Sequence, residues 1–90
     1  MYFEWDSAKA AKNLRKHGVS FEEASTVFYD ALAATGSDPD NSETEERMVT
    51  FGMSSVGKLL VVSHVERGEV IRIISARRAT PRERRIYEEA

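Results

Sequence analysis

IRIISARRATPRERRIYEEA, residues 71–90, decides how this chain folds. The stretch opens β-branched and mostly apolar, the composition of a strand, and then meets Thr80-Pro81-Arg82-Glu83. A Thr that can cap, a Pro at the first helical position and a Glu three residues after the Thr form a capping box, so the spacing predicts a helix starting there. On that helix Thr80, Glu83, Arg84 and Tyr87 share one face, and Ile86 marks a different, apolar side. The junction also concentrates charge. Seven of the thirteen basic residues, Arg67, Arg72, Arg77, Arg78, Arg82, Arg84 and Arg85, lie from residue 67 onward, although the formal net charge is -2. The surface is therefore polarised, and its positive end suits a phosphate-bearing or acidic partner.

Upstream of this stretch, residues 47–53, 59–65 and 69–76 read as strands. The connections between them, 54–58 around Gly57 and 66–68, are short enough to require antiparallel hairpins. Residues 59–62, LLVV, are apolar on both faces and belong at the centre of a sheet. Arg72 interrupts an otherwise apolar run, so its guanidinium must reach solvent, a carboxylate or a ligand phosphate.

Nearer the N-terminus, residues 2–5 suit an edge strand. Asp6 is a good N-cap for a helix over 7–17 that Gly18 ends. Lys9, Lys12, Arg15 and Lys16 make that helix basic, with a thin apolar stripe. Ser20 and Glu23 form a second capping box, and Phe21, Ala24, Val27 and Phe28 recur at helical spacing, so this second helix belongs to the core. Residues 30–46 are small, polar and acidic around Asp38-Pro39-Asp40 and read as a long loop. The expected order is β-α-α-β-β-β-α: an α+β fold with an antiparallel sheet packed by helices, as one domain over residues 1–90.

Composition narrows the function. Ninety residues bury roughly 60–65% of the unfolded surface, enough for one modest core. With no cysteine, and histidines only at 17 and 64, neither a disulfide framework nor a zinc site is expected, and no cofactor is implied. No apolar run is long enough to span a membrane, and MYFEWDSAK lacks the basic-then-apolar form of a secretory signal, so a cytoplasmic protein is expected.

FEWDSAKAAKNLRKHGVSFEEA, LLVVSHVERGEVIRIISAR and ARRATPRERRIYEE, in that order, resemble the BrnT-type toxins of bacterial BrnT/BrnA type II toxin–antitoxin systems. The resemblance spans nearly the whole chain and is weakest over residues 31–43. It implies a RelE-like fold and a ribonuclease that stops translation. It further implies neutralisation by a small ribbon-helix-helix antitoxin of BrnA type, in a heterotetramer that reaches operator DNA only through the antitoxin.

Cleaving RNA without a metal requires a group to take the 2′-hydroxyl proton, cations around the phosphorane, and an acid for the leaving oxygen. Arg67, Arg72 and Arg77 are the phosphate candidates, because a guanidinium binds two oxygens and keeps its charge. Lys9 and Lys16 could follow an RNA backbone as point charges. Lys16, His17, His64, Glu83 and Tyr87 are the proton-transfer candidates, with His64 also a possible phosphate contact.

Each candidate has a plainer reading. His17 in a last helical turn interacts well with the helix dipole, and His64 in an apolar strand suits a half-buried structural role. Glu83 is already used by the capping box, Tyr87 could be a core ring with a wet hydroxyl, and the arginines could be a solvated face. Phe3 and Trp5 suit packing better than base stacking. The competing function is a binding module for the antitoxin or RNA, with catalysis weak or lost. Direct DNA binding fits less well, since no helix-turn-helix pair is visible.

Overall fold

The computed structural model describes residues 1–38 and 46–89. In chain order these form β1 (Tyr2–Glu4), α1 (Ser7–His17), α2 (Phe21–Ser25) with a 3-10 turn over Thr26–Tyr29, β2 (Ala34–Ser37), β3 (Arg47–Met53), β4 (Leu59–Arg67), β5 (Val70–Arg78) and α3 (Pro81–Glu89). The three expected helices start where their caps were read. Asp6 accepts from the amides of Ala8 and Lys9, at 2.8 and 3.0 Å, and Gly18 closes α1 with a φ of 70°, where a side chain would be strained. Ser20 accepts from Glu23 N–H at 3.0 Å. Thr80 and Glu83 exchange reciprocal bonds at 3.2 and 2.9 Å.

The strands form one five-stranded sheet in the order β1-β5-β4-β3-β2. Two expectations are corrected here. β1 runs parallel to β5, pairing Tyr2 with Val70 and Glu4 with Arg72, so the sheet is mixed rather than antiparallel. A long connection containing both early helices separates β1 from β5, which is what parallel pairing needs. The second correction is β2, which lies within the stretch read as loop. Its sequence, ATGS, is small, polar and exposed at every position, so no alternation of apolar residues marks it. Pairing with β3, from Ala34–Phe51 to Ser37–Met48, forms it instead. The centre of the expected loop, residues 39–45, lies outside the described residues.

One face of the sheet carries the core. Val19, Phe21, Ala24 and Val27 pack onto Leu60, Val62, Ile71, Ile73 and Ala76, with Phe3, Trp5 and Phe28 closing the rim. Gly52 is required here, because a Cβ on it would lie 3.0 Å from the Val27 carbonyl oxygen and 3.1 Å from its Cβ. The other face, with Val49, Phe51, Val61, Ser63, Ser75 and Arg77, is the more open one, although Val61 is buried on it, and α3 lies beside it without burying a residue of its own.

A bulge between β4 and β5 decides which side chains reach this open face. Ser63 pairs with Ser75 while its neighbour His64 pairs with Ile73, which leaves Ile74 as the extra residue. Before the bulge, Ile71 and Ile73 face the core; after it, Ala76 does. Arg77 is thereby turned out of the core and onto the open face.

Candidate active site

The site is assembled at the C-terminal end of α1. β5 has β1 beside it only as far as Arg72, so further along its free edge needs other partners. Asn13 supplies them. Its Oδ1 accepts from Ala76 N–H at 3.1 Å and its Nδ2 donates to the Ala76 carbonyl at 2.8 Å and to the Val19 carbonyl at 3.0 Å. One helical turn after Asn13 comes His17, and one residue after Ala76 comes Arg77.

His17, Arg77 and Glu83 line a single cleft of about 310 Å³, whose floor includes Ser63, Ser75, Val61 and Phe51. Arg77 Nη1 and Nη2 donate to Glu83 Oε1 and Oε2 at 2.8 and 2.9 Å, a bidentate pair. The Arg77 bonds hold the Glu83 carboxyl down to about 2, assisted by the Thr80 amide and only partly opposed by burial. The same bonds raise Arg77 above the ordinary arginine value. Glu83 is thus a fixed anion that orients a cation, and a poor carrier of protons near neutral pH.

The other predicted residues lie apart from this cleft. Arg67, at the end of β4, and Arg72, on the half of β5 that pairs with β1, both approach Glu4, at 3.8 and 3.6 Å. Lys9 and Lys16 are exposed on α1, with Lys16 next to His17 in the chain. Tyr87 donates its hydroxyl to Asp30 at 2.5 Å, which ties α3 to the turn before β2. That bond raises the Tyr87 phenol above its usual value. Asp30 is lowered chiefly by the Met53 amide and then by Tyr87. Tyr87 thus ties the helix down and is not among the residues that line the cleft.

The phosphate contact expected at His64 is corrected by its position. His64 is fully buried on the core face, with Nε2 2.7 Å from Thr50 Oγ1 and its ring edge-on to Phe28 at 4.9 Å. Thr50 in turn meets Thr35 at 2.7 Å, so the chain of side chains ties β2 and β3 to β4. Burial lowers His64 to about 4, so it is neutral at physiological pH and out of reach of RNA.

Asn13, Ser63 and Ser75 escape a reading of sequence. The one available signal is Asn13 itself, a poor helix former on the same helical face as a histidine. Strand register, which brings both serines to the cleft, depends on a bulge that no local pattern announces.

The family described as "Ribonuclease toxin, BrnT, of type II toxin-antitoxin system" matches residues 5–83. The chain belongs to the BrnT family. BrnT toxins are ribonucleases of type II toxin–antitoxin systems, and an antitoxin partner follows from that membership. The fold agrees: the 1.1 Å crystal structure of the Brucella abortus ribonuclease toxin, BrnT, superposes with a TM-score of 0.65 at 23% identity, covering 89% of this chain and 97% of that one. No curated protein matches the sequence. Among the described residues no helix is long and apolar enough to cross a membrane.

Proposed function

We propose that the cleft lined by His17 and Arg77 is where this BrnT-family ribonuclease cuts RNA, and that it does so without a metal, in the manner of RelE-like toxins. The observation that carries the reading is that a titratable imidazole and an obligate cation line the same cleft although sixty residues separate them in the chain. Imidazole is the ordinary choice for moving a proton near neutral pH, and a guanidinium for holding phosphate oxygens.

In this reading His17 takes the proton of a 2′-hydroxyl, and that oxygen attacks the adjacent phosphorus. Arg77 meets the charge that grows on the non-bridging oxygens. A guanidinium has two bidentate edges. Glu83 takes the Nη1–Nη2 edge, and the Nε–Nη2 edge is the one a phosphate would use. The P–O5′ bond breaks, the imidazolium returns its proton to the 5′ oxygen, and the products are a 2′,3′-cyclic phosphate and a 5′-hydroxyl. Lys16 adds positive field beside the cleft. Messenger RNA is the proposed substrate, with arrest of translation in the cytoplasm as the outcome. The proposed neutralising partner is a BrnA-like ribbon-helix-helix antitoxin in a heterotetramer, through which operator DNA is bound.

The test incubates the wild-type chain, His17→Ala and Arg77→Ala with RNA in EDTA and analyses the ends. The expected result is wild-type cleavage that leaves cyclic phosphate ends, with both variants about 100-fold or more slower yet still bound by antitoxin. Cleavage that stops on chelation, or variants as active as wild type, would overturn the proposal. An intact RNA with every protein would leave a binding module.

A further inference from the structure

Asn13 is the one residue of α1 that is buried, with 7% of its surface exposed. Its place is costly for a helix, since Asn is a weak helix former and its amide must be satisfied when buried. All three bonds of that amide leave the helix, one to the Val19 carbonyl and two to Ala76. The pair to Ala76 repeats the donor and acceptor of a peptide group, so the side chain stands in for the strand that β5 lacks beyond Arg72.

In the rest of the second half of α1, Leu14 is 51% exposed, and Arg15, Lys16 and His17 are all exposed. Sideways placement of the last turn against β5 therefore rests on Asn13, together with Val19, which follows the helix into the core. His17 shares its face one turn later, and Arg77 follows the residue that Asn13 grips. We propose that Asn13 is a positioning residue of the ribonuclease site, setting the His17 ring against the Arg77 guanidinium. The inference rests on the reading of His17 and Arg77 as the RNA-cleaving pair.

A double-mutant cycle tests it, with wild type, Asn13→Ala, His17→Ala and the double variant compared for kcat and KM on one RNA, and folding checked by near-UV circular dichroism. If Asn13 acts through His17, Asn13→Ala lowers kcat by about 10- to 100-fold with little change in KM, since small misplacements cost that much. The double variant is then no slower than His17→Ala alone, because two residues acting as a unit do not add. Losses that multiply would overturn the proposal and make Asn13 an independent support of the fold. A His17→Ala enzyme as fast as wild type would instead overturn the His17 reading itself, and the Asn13 proposal with it. Should Asn13→Ala fail to fold, the cycle uses Asn13→Asp, which keeps the volume and the acceptor for Ala76 N–H. If neither variant folds, Asn13 is a core residue and the proposal fails.

Discussion

Arg77 and Glu83 meet fork to fork, with Nη1–Oε1 at 2.8 Å and Nη2–Oε2 at 2.9 Å, and this pair joins the last strand to the last helix across the rim of the cleft. Because α3 buries none of its residues, the pair is one of the few things that hold it. Glu83→Gln should therefore loosen both the helix and the guanidinium. Glu83 sits at about 2 against an ordinary 4.5, a lowered carboxyl, so its stabilisation is present above pH 4.5 and is lost as pH falls through 2. With Arg77 side-chain exposure at 43%, screening reduces the contribution to about 1–2 kcal/mol. Urea unfolding at pH 7 should show that gap between wild type and Glu83→Gln, and the gap should shrink toward pH 2. RNA cleavage at pH 7 should fall about 10-fold as Arg77 loses its orientation.

His64 predicts an acid limb of stability. Its folded value of about 4 lies below the free value of 6.5, so the unfolded chain takes up the proton first. Stability from this group is full above pH 6.5, declines between 6.5 and 4, and is level below. The limb amounts to as much as about 3 kcal/mol. His64→Leu should flatten it while costing about 1–3 kcal/mol at pH 7, since Thr50 is left with one partner fewer in the core. Denaturant midpoints measured from pH 7 to pH 4 decide the matter. A limb that survives the substitution would assign it to another group.

Tyr87→Phe should free the end of α3 and little else. The hydroxyl bond to Asp30 is partly exposed, so its loss costs about 1 kcal/mol. Hydrogen exchange should speed up through residues 81–89 with the sheet amides unchanged. RNA cleavage should stay within about 3-fold of wild type, because the hydroxyl is committed to Asp30 and moves no proton in the cleft.

Arg72→Ala should leave activity nearly intact. The guanidinium lies 3.6 Å from Glu4, a partner it shares with Arg67, in a partly exposed pair of the kind worth under about 1 kcal/mol. Cleavage within about 3-fold of wild type and an unchanged melting curve are expected. A large loss of binding to RNA with the fold retained would extend the RNA path from the cleft to the β1 edge.

Helix starts were legible in this sequence because capping is local: Asp6, Ser20 and Thr80 each bond within three residues of themselves. The central strands were legible because 59–62 are apolar throughout and buried on both faces. What escaped was settled at a distance. Only the completed β1–β5 pair shows which way β1 runs, and β2 owes its extended form to its pairing with β3. At the site, His17 and Arg77 were readable as residue types, and Glu83 as a cap. That the three share a cleft depends on Asn13 and on one unpaired residue in β5, neither of which carries a periodic signature. His64 misled because an imidazole in a strand looks alike whether its side faces water or the core.

Ile74 makes the pairing of β5 matter more than its length. Replacing it with another apolar residue changes a volume, and removing it leaves Ser63 opposite Ser75 and His64 opposite Ile73, so Ala76 stays in the core; absorbing it into a regular ladder, by contrast, would carry Ser75 and Arg77 into the dry layer and turn Ala76 out to solvent. A slip of the β4–β5 register by one residue beyond the bulge would thus bury a charge and dismantle the cleft together. Among chains that keep this fold and this cleft, β5 should therefore occur both with the extra residue and without it, the pairing beyond it being what is kept.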